Sequence, residues 1–189
     1  MFKQDVRITL ARKKTELKQI IDLQRANLKA ALSEEEATDQ GFVTAVHDYD
    51  VLEEMNSATA AVIAKDGTRV VGYALAMTRD FADKVPTLTA VWEIQDGAEL
   101  NGEILGNVNY LGMGQVCVDK EYRGRKLVDR MYKYLRTCYS LHYPYLITSI
   151  DEHNTRSRRV HQRMRFQELR TATAPTGQEW VVVGWDWRK

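Results

Sequence analysis

The sequence predicts an α/β (α+β) fold: a mixed sheet with a central parallel β-α-β unit and flanking helices. Three observations predict it. "YLGMGQVCV" is a strand-like run that leads through a charged hinge into the helically spaced "GRKLVDRMYKYLRTCYSLH", and "YLITSID" follows as a second apolar run. Strands joined through a helix lie parallel, because only a long crossover returns the chain to the same end of a sheet. "TAAVIAKDGTRVVGYALAM" reads as two strands around Asp66-Gly67, residues that tolerate the positive φ of a tight turn. "QELRTATA" and "EWVVVGWDW" read as a closing strand pair.

The remaining elements follow from periodicity. "VRITLARK" alternates and is a first strand, and "TELKQIIDLQRANLKAAL" places Leu17, Ile20, Ile21 and Leu28 at helical recurrence. "FVTAVHDYDVLEEMNSA" reads as a second helix. From residue 79 to 109 the pattern blurs around Pro86, Gly97, Gly102 and Gly106, which predicts a loop-rich insertion with a short helix. "NTRSRRVHQRMRF" is helical again. The order is β α α β β, insertion, β α β α β β.

At 189 residues, 44% hydrophobic and 28% charged, the chain suits a single domain spanning 1–189. A net charge of +1 argues against a general nucleic-acid or membrane surface. No signal peptide and no run of membrane-spanning length is present, so the expected location is cytoplasmic. Cys117 and Cys138 form no CxxC pair and no zinc-spaced group, so reduced thiols and no metal site are expected. The apolar ending "EWVVVGWDWRK" offers a face that a second copy could cover, giving a homodimer.

The chemistry is expected where strand becomes helix. A helix start presents unpaired N–H groups and the positive end of the macrodipole, a ready anion site. Here Gly124 removes a side chain from the turn while Arg123, Arg125 and Lys126 surround it with positive charge, which suits a phosphate or pyrophosphate. In "EHNTRSRRVHQRMRF", Asn154, Ser157, His161 and Met164 recur along one helix face, a mixed surface that suits a cleft edge.

These two stretches resemble a known family. "VDKEYRGRKLVDRM" (Val118 to Met131) is similar to the acetyl-CoA-binding motif of the GNAT superfamily of N-acetyltransferases, in which a strand runs into an Arg/Gln-x-x-Gly-x-Gly/Ala turn and a helix. "NTRSRRVHQRMRF" (Asn154 to Phe166) resembles that superfamily's next motif, an Asn, a small residue three later, a Tyr four beyond and a closing Gly-Phe. The resemblance implies a GNAT-like, mostly antiparallel sheet and transfer of an acetyl group from acetyl-CoA to an amine. It places the pyrophosphate at Arg123, Gly124, Arg125, Lys126, Leu127 and Val128, and the pantetheine arm along Val116, Cys117 and Val118. Asn154 would bond that arm and Ser157 would line its path. His161 stands where the family has a tyrosine acting as general acid, and the residues also allow a structural histidine. Lys126, Val128 and Arg165 replace small or glycine positions of the motifs.

Direct transfer needs no nucleophilic residue, since positioning two reactants supplies several kcal/mol of the barrier. Cys117 as an acyl-enzyme nucleophile is the alternative chemistry. Glu93, Glu103, Asp48 and Asp50 are distant carboxylates, and none is assigned as base. Acidic residues at Glu34 to Glu36, Asp48, Asp50, Glu53 and Glu54, and at Asp80, Asp83, Glu93, Asp96 and Glu99, favour a cationic amine as acceptor. Two other functions compete: a GNAT-like domain that binds acyl-CoA without catalysis, and a nucleic-acid module built on the arginines between Arg156 and Arg165.

Overall fold

The computed structural model describes residues 5–28, 42, 43, 45–82 and 86–189. In chain order the elements are β1 (Arg7–Leu10), α1 (Lys14–Ala26), α2 (Tyr49–Ala58), β2 (Val62–Asp66), β3 (Arg69–Met77), α3 (Pro86–Asp96), β4 (Glu99–Leu100), β5 (Glu103–Ile104), β6 (Leu111–Val118), α4 (Leu127–Tyr139), β7 (Tyr145–Asp151), α5 (Thr155–Arg163), β8 (Gln167–Thr173) and β9 (Glu179–Asp186). The chain divides into two compact units, one within Met1–Ser33, Phe42–Ala76 and Gly114–Cys138, the other within Glu34–Gly41, Met77–Met113 and Tyr139–Lys189.

In the first unit β1 pairs antiparallel with β2 and β2 with β3, and β6 lies beside β3. The hairpin closes as its sequence predicts: Asp66 pairs with Arg69, and Gly67 takes φ +58°. Helix α1 buries Leu17, Ile20, Ile21 and Leu23. Its start is fixed by the buried Glu16, which accepts from the Arg12 and Lys13 amides at 2.8 and 3.0 Å and pairs with Lys65 at 2.6 Å. Burial pushes the Glu16 carboxyl up, but Lys65 and the two amides outweigh it and hold the group below its ordinary range. Leu52, Met55, Val71, Leu75, Met131, Tyr132 and Leu135 complete a core in which each large apolar side chain contributes about 1.5–3 kcal/mol.

Two expectations in this unit are corrected. Helix α1 stops at Ala26, with Asn27 as its C-cap; residues 29–32 of the predicted span lie outside the described residues. The helix predicted from Phe42 begins only at Tyr49, capped by Asp48 in extended conformation. The reason is tertiary: the Val43 amide donates to the Asn27 carbonyl at 3.0 Å and the His47 amide to Gln24 Oε1 at 2.9 Å, so neither serves a helix.

In the second unit β7 pairs antiparallel with β9 from Tyr145↔Asp186 to Asp151↔Trp180, and β9 pairs antiparallel with β8 across an irregularity between Glu168 and Arg170. β6 and β7 are parallel, as the crossover argument requires, and their ladder consists of Leu111↔Leu146 and Gly112↔Ile147. The sheet is therefore mixed and mostly antiparallel. The tryptophan-rich ending packs on itself and on α5's exit: Phe166 stacks on Trp185 at 5.6 Å, and Trp185 meets the buried Trp187 at 6.1 Å.

The insertion is more ordered than a loop-rich reading predicts. Pro86 occupies the first position of α3, where its missing N–H and fixed φ suit a helix start. Asn101 and Gly102 at φ +55° and +85° close the two-residue turn between β4 and β5. Arg79 reaches Asp96 at 2.5 Å and Tyr110 donates to the same carboxylate at 2.9 Å, tying both ends of the insertion to the end of α3. Trp92 lies over Gly112, where an added Cβ would fall 2.5 Å from the ring. Gly112→Ala is therefore expected to destabilise the fold by about 1–3 kcal/mol through overpacking, read as a lower urea midpoint with unchanged slope.

Candidate functional site

The strand-to-helix turn lies wholly in the first unit. Past Val118, Asp119 caps the short turn Lys120–Tyr122 by accepting from the Glu121 amide, and Gly124 follows at φ +77°. Lys126 sits at φ +55°, and α4 starts at the next residue. A left-handed residue cannot continue a helix, which is why α4 begins at Leu127 and not at Gly124 as the sequence reading has it. Lys126 thus adopts the backbone conformation that glycine favours at the position where the motif has a small residue. The first i→i−4 bond of the helix end is Arg130 N–H to Lys126 O at 3.1 Å, so the amides of Leu127 and Val128 precede the helical ladder.

The turn's two arginines are held differently from simple solvated charges. Arg123 donates through Nε to the Val118 carbonyl at 3.1 Å and through Nη2 to Asn27 Oδ1 at 2.7 Å. Arg125 lies over the Tyr122 ring at 4.7 Å and donates to the Glu121 carbonyl at 3.2 Å. Tyr122 in turn donates to Asp66 at 2.6 Å, and Arg69 pairs with Asp119 at 2.7 Å. The β2–β3 hairpin therefore braces the turn from one side and α1 from the other. Lys126 is exposed, while Leu127 is buried against the core.

Of the strand residues expected along the pantetheine arm, Val116, Cys117 and Val118 occupy the end of β6 in this unit. Burial pushes the Cys117 thiol up to about 12, with Arg123 pulling weakly the other way, so a thiolate is absent at neutral pH. A cluster that periodicity did not single out sits beside it. Tyr73 donates to Gln115 Oε1 at 3.0 Å, and Gln115 donates to the Ala45 carbonyl at 2.6 Å. Gln24 Oε1 takes the His47 amide, which leaves Gln24 Nε2 donating to His47 Nδ1 at 3.0 Å and fixes the ring proton on Nε2. All four side chains are buried, and burial holds the His47 ring below its usual range. The available signal was polar residues at apolar positions: Gln24 continues the Leu17, Ile20, Ile21 stripe, and Gln115 interrupts an apolar strand.

Asn154, Ser157 and His161 lie in the second unit. Asn154 is the N-cap of α5, its Oδ1 accepting from the Ser157 amide at 3.1 Å. His161 is buried and donates from Nδ1 to the Ser157 carbonyl at 2.8 Å. The helix ends in a Schellman motif: Phe166 N–H returns to the His161 carbonyl at 3.1 Å, Arg165 N–H to Gln162 at 3.0 Å, and Arg165 takes φ +68°. The His161 ring packs edge-on against Phe166 at 4.9 Å, the side-chain contact that accompanies this cap. Burial lowers the His161 pKa to about 4, partly offset by the Ser157 carbonyl, so the ring is neutral at pH 7.

Among the described residues no group of three or more His, Cys, Asp or Glu is placed to hold a metal ion, and no helix is long and apolar enough to cross a membrane. Two acids counted toward a cationic acceptor already face cations: Glu53 pairs with Lys14 and Asp96 with Arg79. Glu34 to Glu36 and Asp83 lie outside the described residues.

Comparison with known proteins follows the same direction. A family model described as the acetyltransferase (GNAT) family matches residues 28–166. The chain is similar in structure to a GNAT-family acetyltransferase from Streptococcus agalactiae, with TM-score 0.64 and 15% identity over 98% of this chain and 97% of that one. It is also similar to the ribosomal-protein-S18-alanine N-acetyltransferase from Escherichia coli, with TM-score 0.62 and 8% identity over 96% and 94%. A Salmonella typhimurium structure solved with its cofactor acetyl-CoA gives TM-score 0.60 and 14% identity over 96% and 94%. No curated protein matches.

Because the unfolded chain binds a proton at His161 near pH 6.5 and the folded chain only near 4, this residue removes stability as pH falls through that window. The loss expected from pH 7 to 4 is about 3 kcal/mol. His161→Phe, which does not titrate, is expected to flatten that part of the urea-midpoint profile relative to wild type.

Proposed function

The chain belongs to the acetyltransferase (GNAT) family and is an N-acetyltransferase that uses acetyl-CoA; from that premise we propose that it moves the acetyl group to an amine by direct transfer, with the turn from Arg123 to Val128 receiving the coenzyme pyrophosphate. The observation that supports this most is the left-handed pair Gly124 and Lys126, which ends the turn and starts α4 at Leu127, so that the amides of Leu127 and Val128 lie at the helix N-terminus. The motif's departures are departures of side chain and not of backbone, so they do not favour a domain without catalysis.

Within this reading the phosphate charge is met by the amides of Leu127 and Val128, with Arg125 and Lys126 adding cations at the rim. Arg123 contributes through its internal bonds. The backbone of Val116, Cys117 and Val118, beyond the last β6–β7 ladder pair at Gly112, serves the pantetheine arm as an added strand would. Asn154 and Ser157 are assigned to the arm by their motif positions, with the Asn154 carbonyl oxygen already committed to the α5 cap.

The neutral amine attacks the thioester carbonyl, a C–N bond forms and the C–S bond breaks; the nitrogen gives up one proton to water, and the departing thiolate takes one up. A backbone amide near the reacting carbonyl stabilises the developing oxyanion. His161 is reassigned from general acid to the cap of α5, since a neutral ring whose Nδ1 proton is bound to Ser157 offers no proton at Nε2. Cys117, with its thiol pushed up by burial, takes no part as a nucleophile.

Isothermal titration is expected to give saturable binding of both acetyl-CoA and CoA, and thiol release should follow with at least one amine of a panel. Heat with neither ligand would sink this reading. Intact-mass analysis after mixing with acetyl-CoA should show no acetyl adduct on Cys117. Lys126→Gly is expected to stabilise the fold by about 1 kcal/mol, since the left-handed strain disappears, and to raise the acetyl-CoA Kd severalfold as the ammonium is lost.

A further inference from the structure

Asn27 lies 96 positions before Arg123 and outside both sequence motifs, yet it meets the turn directly. Its side chain is buried and uses both ends: Nδ2 donates to the Leu23 carbonyl at 2.9 Å, and Oδ1 accepts from Arg123 Nη2 at 2.7 Å. Only this amide orientation satisfies both partners, because a carbonyl cannot donate to Asn and a guanidinium cannot accept from it. The Asn27 backbone is also engaged, its carbonyl accepting from Val43 N–H at 3.0 Å and its amide donating to the end of α1. Both ends of the side chain and both backbone groups are therefore engaged, and what the residue holds is the arginine that opens the turn.

The same guanidinium bonds the Val118 carbonyl at 3.1 Å. Arg123 thus joins three things at once: the last residue of β6, the turn, and the C-cap of α1. Helix propensity does not account for an asparagine that is buried here and aimed at a guanidinium from another segment. An Arg-to-amide bond in a half-buried site is charge-assisted, fixing the arginine's rotamer and with it the chain direction leaving β6. The amides of Leu127 and Val128 follow four and five residues later, and donors of this kind bind an anion well only when their positions are set before it arrives.

We infer that Asn27 is a positioning residue for the coenzyme turn, acting through Arg123 on the placement of the α4 amides; this rests on the assignment of that turn to the pyrophosphate. Arg123 then serves binding as a strut, and the cation offered to the phosphate is its neighbour Lys126 or Arg125.

The test titrates full-length wild type and variants with CoA and with 3′-phosphoadenosine 5′-diphosphate, and measures KM for acetyl-CoA and kcat with one fixed amine. Asn27→Ala is expected to weaken both diphosphate ligands about tenfold and to raise KM by a similar factor with kcat within twofold. Asn27→Asp, which keeps an acceptor for Arg123 while losing the donor to Leu23, should recover most of that affinity even though the α1 cap is impaired. A helix-capping role alone would rank the variants by stability and give no such recovery. Arg123→Met leaves the α1 cap intact and is the deciding variant should Asn27→Ala fail to fold; it too should bind about tenfold more weakly. Wild-type affinity in Arg123→Met, or in a folded Asn27→Ala, overturns the inference. Wild type that binds neither ligand overturns instead the assignment of the turn.

Discussion

Two parallel strands that follow one another in sequence cannot be joined by a hairpin, and β6 and β7 are such a pair. Everything between Val118 and Tyr145 is consequently crossover, and its first job is to leave the end of a strand and begin a helix within a few residues. That requirement produces the turn at Arg123 to Lys126, the start of α4 at Leu127 and the need for left-handed backbone. The anion site proposed there would be a by-product of the connection before it is a feature of the chemistry. The bracing by Asn27 and by the Asp66–Tyr122–Arg125 chain keeps that connection in one shape.

The parts of the fold that were legible are those where one local signal sufficed. Asp66-Gly67 announced its hairpin, and the run Tyr145 to Asp151 announced a buried strand. Where tertiary bonding decided, periodicity misled: the segment before Tyr49 has helical spacing, but its amides at Val43 and His47 belong to Asn27 and Gln24. The insertion was misread for a different reason. Asn101-Gly102 is a strong turn signal flanked by strands of only two residues, too short for alternation to register.

The site was legible as an order of motifs and illegible as geometry. Sequence placed positive charge around Gly124, but it gave no sign that Arg123 points toward α1, since its partner is remote in the chain. It likewise left His161 open between an acid and a structural ring, and spacing gave no sign of the Phe166 ring that His161 meets at the end of its helix. The polar cluster of Gln24, His47, Tyr73 and Gln115 assembles from four separate segments, and no spacing rule could have joined them.

Lys126 and Arg165 share a property that reaches past this chain. Each holds a left-handed backbone where the corresponding motif prefers glycine, at a cost of about 1 kcal/mol apiece. A motif written as letters treats both positions as mismatches, while one written as dihedral angles would score them as matches. Searches keyed to glycine therefore undercount such turns, and a redesign of this fold can place a functional side chain at either position without redrawing the backbone.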